Sequence, residues 1–223
     1  MRRKRSIQRS WLYRYRYLLA SILLAVIVLA ISIYRFWSVP SGLSASEKLS
    51  AIASGRLAGG SVTGLVNAPW LILEALTIKL YGMTIFALRL PALLLVVASI
   101  LTMMLAIRAI YRPSLAMMGG LLMACSAFTI SLGRAGTPAV MTVLLLTLAI
   151  LLGYYAVNAK QKVALAVGLA LDLVALSYMS GGLYIVTALA IVTLLHPKSR
   201  YTIKCHKKLL AGIAAAYLIL LLA

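Results

Sequence analysis

The sequence predicts an all-α protein, a multi-pass transmembrane bundle of about seven spans with two short interfacial helices in its first outer loop. Three observations predict it. Hydrophobic residues make up 64% of the chain and charged ones 11%, where an ordinary soluble domain has roughly half and a quarter. The apolar residues fall in sustained runs that approach the thickness of a bilayer core. Lys and Arg outnumber Asp and Glu by 22 to 3, and the cations gather between the runs. A basic soluble chain would read as a nucleic-acid binder. Charges confined to the flanks of apolar runs follow the positive-inside pattern instead, so no nucleic-acid partner is expected.

Residues 1–16 form a basic cytoplasmic N-terminus with Arg2, Arg3, Lys4, Arg5, Arg9, Arg14 and Arg16. The membrane domain occupies 17–223. Its first span, 17–34, is bracketed by Tyr13, Tyr15 and Tyr17 on one side and Tyr34, Phe36 and Trp37 on the other, as interfacial aromatics bracket a permanent span. The same run, followed by Pro40 and Ser44-Ala45-Ser46, also has the outline of a signal peptide. The long basic lead and the double aromatic belt favour the span.

The outer loop 35–83 comes next. Within it, 46–58 carries Leu49, Ile52, Ala53 and Leu57 at helical spacing and ends on Gly59-Gly60-Ser61. Ser44 stands three residues before Glu47, the spacing of a capping box. Segment 67–81 places Asn67, Glu74, Thr77 and Tyr81 on one helical face and Pro69, Ile72, Leu73, Leu76 and Leu80 on another. At about 1.5 Å per residue it reaches only ~22 Å, and it holds Glu74 and Lys79. It is therefore read as lying flat on the outer surface, with Glu74 and Thr77 facing water. The further spans expected are 84–110, 114–132, 138–157, 163–178, 181–196 and 209–223.

Orientation follows from the connectors. With 67–81 outside the bilayer core, the pairs Arg108/Arg112 and Lys160/Lys162 join the cluster Lys198, Arg200, Lys204, Lys207 and Lys208 on the side of the basic N-terminus. Were 67–81 a span, all nine would move outside, against the usual bias. The chain is thus expected in the plasma membrane with its N-terminus cytoplasmic and membrane lipid as a partner. The run ending at Ala223 has no closing polar segment, which predicts a C-terminal partner chain or domain.

Soluble-enzyme motifs are missing: there is no glycine-rich phosphate loop before a lysine, no paired histidines for zinc and no Ser/His/Asp set. His196 and His206 belong to the basic cytoplasmic face, and Cys125 and Cys205 lie too far apart to imply a disulfide. No metal ligands are read and no cofactor is called for. Asp172, in the middle of a span, must face the bundle interior or water. The pairs Gly119-Gly120 and Gly181-Gly182 permit close helix approach. Chemistry is left to the outer loop, where Glu47 and Glu74 are the acids.

Four patches carry a resemblance. They are GLSASEKLSAIASGRLAGG (42–60), NAPWLILEALTIKLYGMTIFALRLPALL (67–94), SLGRAGTPAVM (131–141) and SYMSGGLYIVTALAIVTLLHP (177–197). Together they resemble the N-terminal half of bacterial family-39-type glycosyltransferases of the C superfamily, relatives of protein mannosyltransferases and lipid A aminoarabinose transferases. The string Phe-Ala-Leu-Arg-Leu-Pro at 86–91 is the most specific match.

The resemblance implies transfer of a sugar from a polyprenyl-phosphate donor to an acceptor on the outer face. It implies Glu47 as the base on the acceptor hydroxyl, and Arg134, Arg56, Lys48, Arg89 and Asn67 as residues that bind substrate. A carboxylate at the water–lipid boundary can take a proton while nearby cations neutralise the leaving phosphate. The chain departs from the family pattern at three places. Ser46-Glu47 stands where the family has Asp-Glu, Val66-Asn67-Ala68-Pro69 where relatives carry Glu-Lys or His before Pro-Pro, and Met179-Ser180 where a lysine is common.

Each residue keeps a plainer alternative. Glu47 also fits a purely structural cap, Arg134 and Arg89 also fit helix-end anchors in the headgroups, and Lys48 and Arg56 also fit solvated residues of an amphipathic helix. Two other functions share the architecture: a relative or accessory subunit without chemistry, and a transporter. Scarce intramembrane charge and the lack of a repeated half-chain count against the transporter.

Overall fold

The computed structural model of the chain describes residues 42–61, 66–158 and 162–195 and single positions between 19 and 30. The described residues are helical with no strand: α1 (Ala45–Ala58), α2 (Ala68–Tyr81), α3 (Ile85–Ile110), α4 (Pro113–Cys125), α5 (Ala127–Arg134), α6 (Ala139–Asn158), α7 (Lys162–Ser177) and α8 (Gly182–Leu195). The described positions of the run 17–34 are helical as well. The expected span 209–223 and the basic cluster 198–208 lie outside the described residues.

Local signals fix the helix ends. Ser44 caps α1, with the Glu47 N–H donating to its hydroxyl and the Glu47 carboxylate accepting from its N–H, so both halves of the capping box form. Asn67 opens α2 in the left-handed region at φ 62°, and Pro69 follows in the first turn, where a missing N–H costs nothing. Thr84 caps α3 through the Ala87 N–H. Pro91 sits inside α3 and cannot donate to the carbonyl four residues before it. That carbonyl, on Ala87, accepts instead from the Thr77 hydroxyl of α2 at 2.7 Å.

α3 is the central element, packed against α2, α4, α5 and α6, while α6 packs on α7 and α7 on α8. The shared core joins Val96, Ile100 and Met104 of α3 to Val140, Leu144 and Leu145 of α6, with Trp70 of α2 and Leu176 and Met179 at the end of α7. Close approach needs glycine at Gly182, where a Cβ would stand 1.6 Å from the Leu176 carbonyl oxygen. Asp172 is buried on the bundle side of α7, as its charge requires.

The expectation of about seven spans is met only in part among the described residues. Among the described residues α3 and α6 are long and apolar enough to cross a bilayer, and α4 with α5 makes a third if taken as one broken span. The expected straight run 114–132 bends by 59° at Ser126. α7 has 16 residues and α8 has 14, which at 1.5 Å per residue gives ~24 and ~21 Å against a core of about 30 Å.

The two surface helices have the expected bounds but the opposite facing. Glu74 is 0% exposed and Thr77 6%, whereas Ile72, Leu76 and Leu80 are all more than half exposed. On α1 the buried residues are Glu47, Ser50, Ala51 and Ser54, and Leu49 and Ile52 point outward. The reading of Glu74 and Thr77 as water-facing is therefore corrected. Polar side chains pair along the seam between α1 and α2, because a buried hydroxyl or carboxyl needs a partner and finds one across that seam. The apolar faces of α1 and α2 are left on the outside of the bundle. Cysteines introduced at Ser61 and Ser114, in a variant without native cysteines, are expected to react with an impermeant thiol reagent from opposite sides of the membrane. Labelling of both from one side overturns the orientation.

Candidate functional site

The structure gathers the four resembling patches at one end of the bundle, and Glu47 is where three of them meet. Its Oε1 accepts from the Gly136 N–H at 2.9 Å and from Arg89 Nε at 3.0 Å, and its Oε2 accepts from the Ser44 N–H at 2.7 Å. The carboxylate is 1% exposed and so is Arg89. Arg89 also donates to the Gly42 carbonyl at 2.8 Å. One ion pair thus fastens the start of α1, the first turns of α3 and the turn after Arg134. Burial pushes the Glu47 carboxyl up, but the N–H donors of Ser44 and Gly136 and the guanidinium of Arg89 outweigh it and hold the group below its ordinary value. Gly136 fits because a Cβ there would stand 3.0 Å from the Leu88 carbonyl oxygen.

A second polar cluster fills the seam between α1 and α2. The Ser50 hydroxyl donates to Glu74 Oε2, and Trp70 Nε1 donates to the same hydroxyl at 2.8 Å. Glu74 Oε1 has no hydrogen-bond partner among the described residues. Burial raises the Glu74 carboxyl to about 7, against the smaller opposing pull of its hydrogen bonds, and the Glu47 charge adds to the rise. The two acids are therefore held in different states, Glu47 as a carboxylate and Glu74 close to half-protonated at neutral pH.

Asn67 joins the last patch. Its N–H donates to the Tyr178 carbonyl at 2.7 Å, and its Oδ1 accepts from the Ser180 N–H at 2.8 Å. It ties α2 to the turn between α7 and α8, where Gly181 takes φ 77°. Lys48 and Arg56 are exposed on α1, and Arg134 is half-buried at the end of α5. Of the cations named from the sequence, Arg89 is thus turned inward onto Glu47, while Lys48 and Arg56 face outward. Among the described residues no group of three or more His, Cys, Asp or Glu is arranged to hold a metal.

The sequence reading did not find Gly136, Gly42, Ser50, Ser54 or Trp70. The first two act through backbone atoms, which leave no mark in side-chain pattern. The other three carried a signal: Ser50/Ser54 and Trp70/Glu74 are each four residues apart, so each pair shares a helix face.

No curated protein and no solved structure shows significant similarity to the chain. Residues 66–222 match the family described as dolichyl-phosphate-mannose-protein mannosyltransferase. The matched stretch begins after α1, so the helix that carries Glu47 lies outside it yet is bonded to it through Arg89 and Gly136. With 66–222 spanning α2 to α8 and beyond, the chain belongs to this family of membrane glycosyltransferases of the C type.

Proposed function

We propose that the protein moves a sugar from a polyprenyl-phosphate donor to an acceptor at the outer face of the membrane. The observation that carries this reading is the Glu47–Arg89 pair, a buried clasp that brings α1, the first turns of α3 and the turn at 134–138 to one point. Lys48 follows Glu47 on α1, Arg134 ends α5 two residues before Gly136, and Arg56 lies in the last turn of α1. Their charge suits a departing lipid phosphate, which becomes more anionic as the sugar leaves. A polyprenyl tail would run in the lipid beside the exposed apolar faces of α1 and α2.

Glu47 serves this reaction as a positioning carboxylate. Three donors occupy most of its roughly four lone-pair sites, and its depressed titration makes it a weak proton acceptor. Glu47→Gln is expected to lower transfer from a polyprenyl-phosphate sugar by about 10²-fold or more and to lower thermal stability with it. The double variant Glu47→Gln/Arg89→Met, which buries no charge at this position, should regain stability and a large part of the rate. A double variant that folds as well as wild type but stays inactive would make Glu47 the base.

A second reading, a relative that keeps the bundle without the chemistry, is favoured by Ser46. This exposed residue, its Oγ 3.1 Å from that of Ser44, occupies the position of the family pattern's Asp. Absence of transfer in wild type together with transfer by Ser46→Asp would establish that reading.

A further inference from the structure

The broken span α4–α5 lines a half-open cavity of about 250 Å³ against α3 and α6. Its walls are mainly apolar, with Val96, Met123, Leu132, Val140 and Val143 among them, and Phe128, largely exposed, stands at its edge. Its floor is polar. Ser126, which ends α4 and starts α5 with φ −67° and ψ 126°, makes no capping hydrogen bond to the turn that follows. The first N–H groups of α5 therefore lack the partners that helix geometry denies them. Thr129, in that same turn, is 6% exposed, lines the cavity, and its hydroxyl has no hydrogen-bond partner among the described residues. Ser99 across the cavity spends its proton on the Leu95 carbonyl. The cavity thus presents hydrogen-bond donors at one spot in otherwise apolar surroundings.

In lipid such donors are costly unless an acceptor reaches them. Depth indicates which acceptor is available. The eight residues of α5 are ~12 Å long, and the 59° bend lets them rise only ~6 Å along the α4 axis. The break therefore lies a short way below Arg134, at the level where acyl esters meet the hydrocarbon when Arg134 sits among headgroup phosphates. The volume holds roughly eight groups the size of a water or a methylene. That admits an ester with a few methylenes, and the mainly apolar walls disfavour a charged headgroup. A polyprenyl chain carries no acceptor at this depth.

We infer that the cavity binds one acyl chain of an outer-leaflet diester phospholipid, its ester carbonyl accepting from the first turn of α5 and from the Thr129 hydroxyl. The site is separate from the Glu47 clasp and does not depend on the proposed transfer reaction.

The test uses the full chain in lipid nanodiscs with a diester phospholipid bearing a photoreactive diazirine on the first carbons of one chain. Adducts mapped by mass spectrometry should concentrate within 123–132 and 140–143, about fivefold above lipid-facing positions of α3 such as Leu94 and Leu105. Unlabelled diester lipid should displace the probe at least about fivefold better than a diether lipid with the same chains, fivefold being the factor for the loss of a single hydrogen bond. Val143→Trp should remove the adducts by filling the cavity. Thr129→Val, which keeps the side-chain shape, should reduce the ester preference even if the larger substitution fails to fold. Uniform adducts along the helices, equal competition by the diether lipid, or stronger displacement by polyprenyl phosphate would each overturn the inference.

Discussion

Replacing Arg89 by methionine is expected to cost about 3–5 kcal/mol of stability at neutral pH, the range seen when one partner of a buried ion pair is removed. The physical reason lies in what remains. Glu47 stays 1% exposed with the Ser44 and Gly136 N–H groups but without a cation, so a desolvated charge is left uncompensated. The Gly42 carbonyl loses its donor as well. Thermal unfolding in detergent at neutral pH would measure the loss, and the deficit should shrink in acid, where Glu47 of the variant is protonated. A variant as stable as wild type would mean that water reaches the pair.

The second large effect is a pH dependence carried by Glu74. Burial lifts its titration from the ordinary 4.5 to about 7, so between those values the folded seam keeps a proton that the unfolded chain has released. The stabilisation from Glu74 is full below pH 4.5 and is lost as pH rises to about 7. A shift of that size corresponds to roughly 3 kcal/mol. Glu47 has the opposite sign: its depressed titration means its contribution is lost only below its ordinary range. The interval from 4.5 to 7 therefore separates Glu74 from Glu47. Hydrogen exchange of the α1 and α2 amides across that interval should accelerate with pH in wild type. In Glu74→Gln, which stays neutral, the seam's contribution should be flat. The same slope in both proteins would assign the effect elsewhere.

Much of the fold was legible because its signals are local. Ser44 and Glu47 announced the cap of α1, Pro69 and Gly82 bound α2, and the apolar run at 84–110 became α3 within a residue. The facing of α2 was not legible. Periodicity separates Glu74 and Thr77 from Ile72, Leu76 and Leu80 but does not say which side is the interior, and beside a bilayer the apolar side faces out. The signal for the right answer was Pro91, whose orphaned carbonyl partner calls for a donor that Thr77 supplies. The break at Ser126 was hidden for another reason: neither Pro nor Gly marks it, and the run reads as uniformly apolar across 114–132. At the site, Glu47 and Arg89 were found as residues and not as a pair, since 42 positions separate them.

The reach of these contacts along the chain sets a schedule for synthesis. Glu47 receives the Gly136 N–H only after 89 further residues have been made, and Asn67 receives Ser180 after 113. At ribosomal speeds of about 5–20 residues per second, the first outer helices stand for roughly 4–20 s without their final partners. The seam closes within 24 residues of Ser50, and Arg89 reaches Glu47 after 42, so over the rest of that time the open position on the Glu47 carboxylate must be filled by water or by a chaperone. This end of the bundle is therefore begun by α1 and α2 and closed by the turn between α7 and α8.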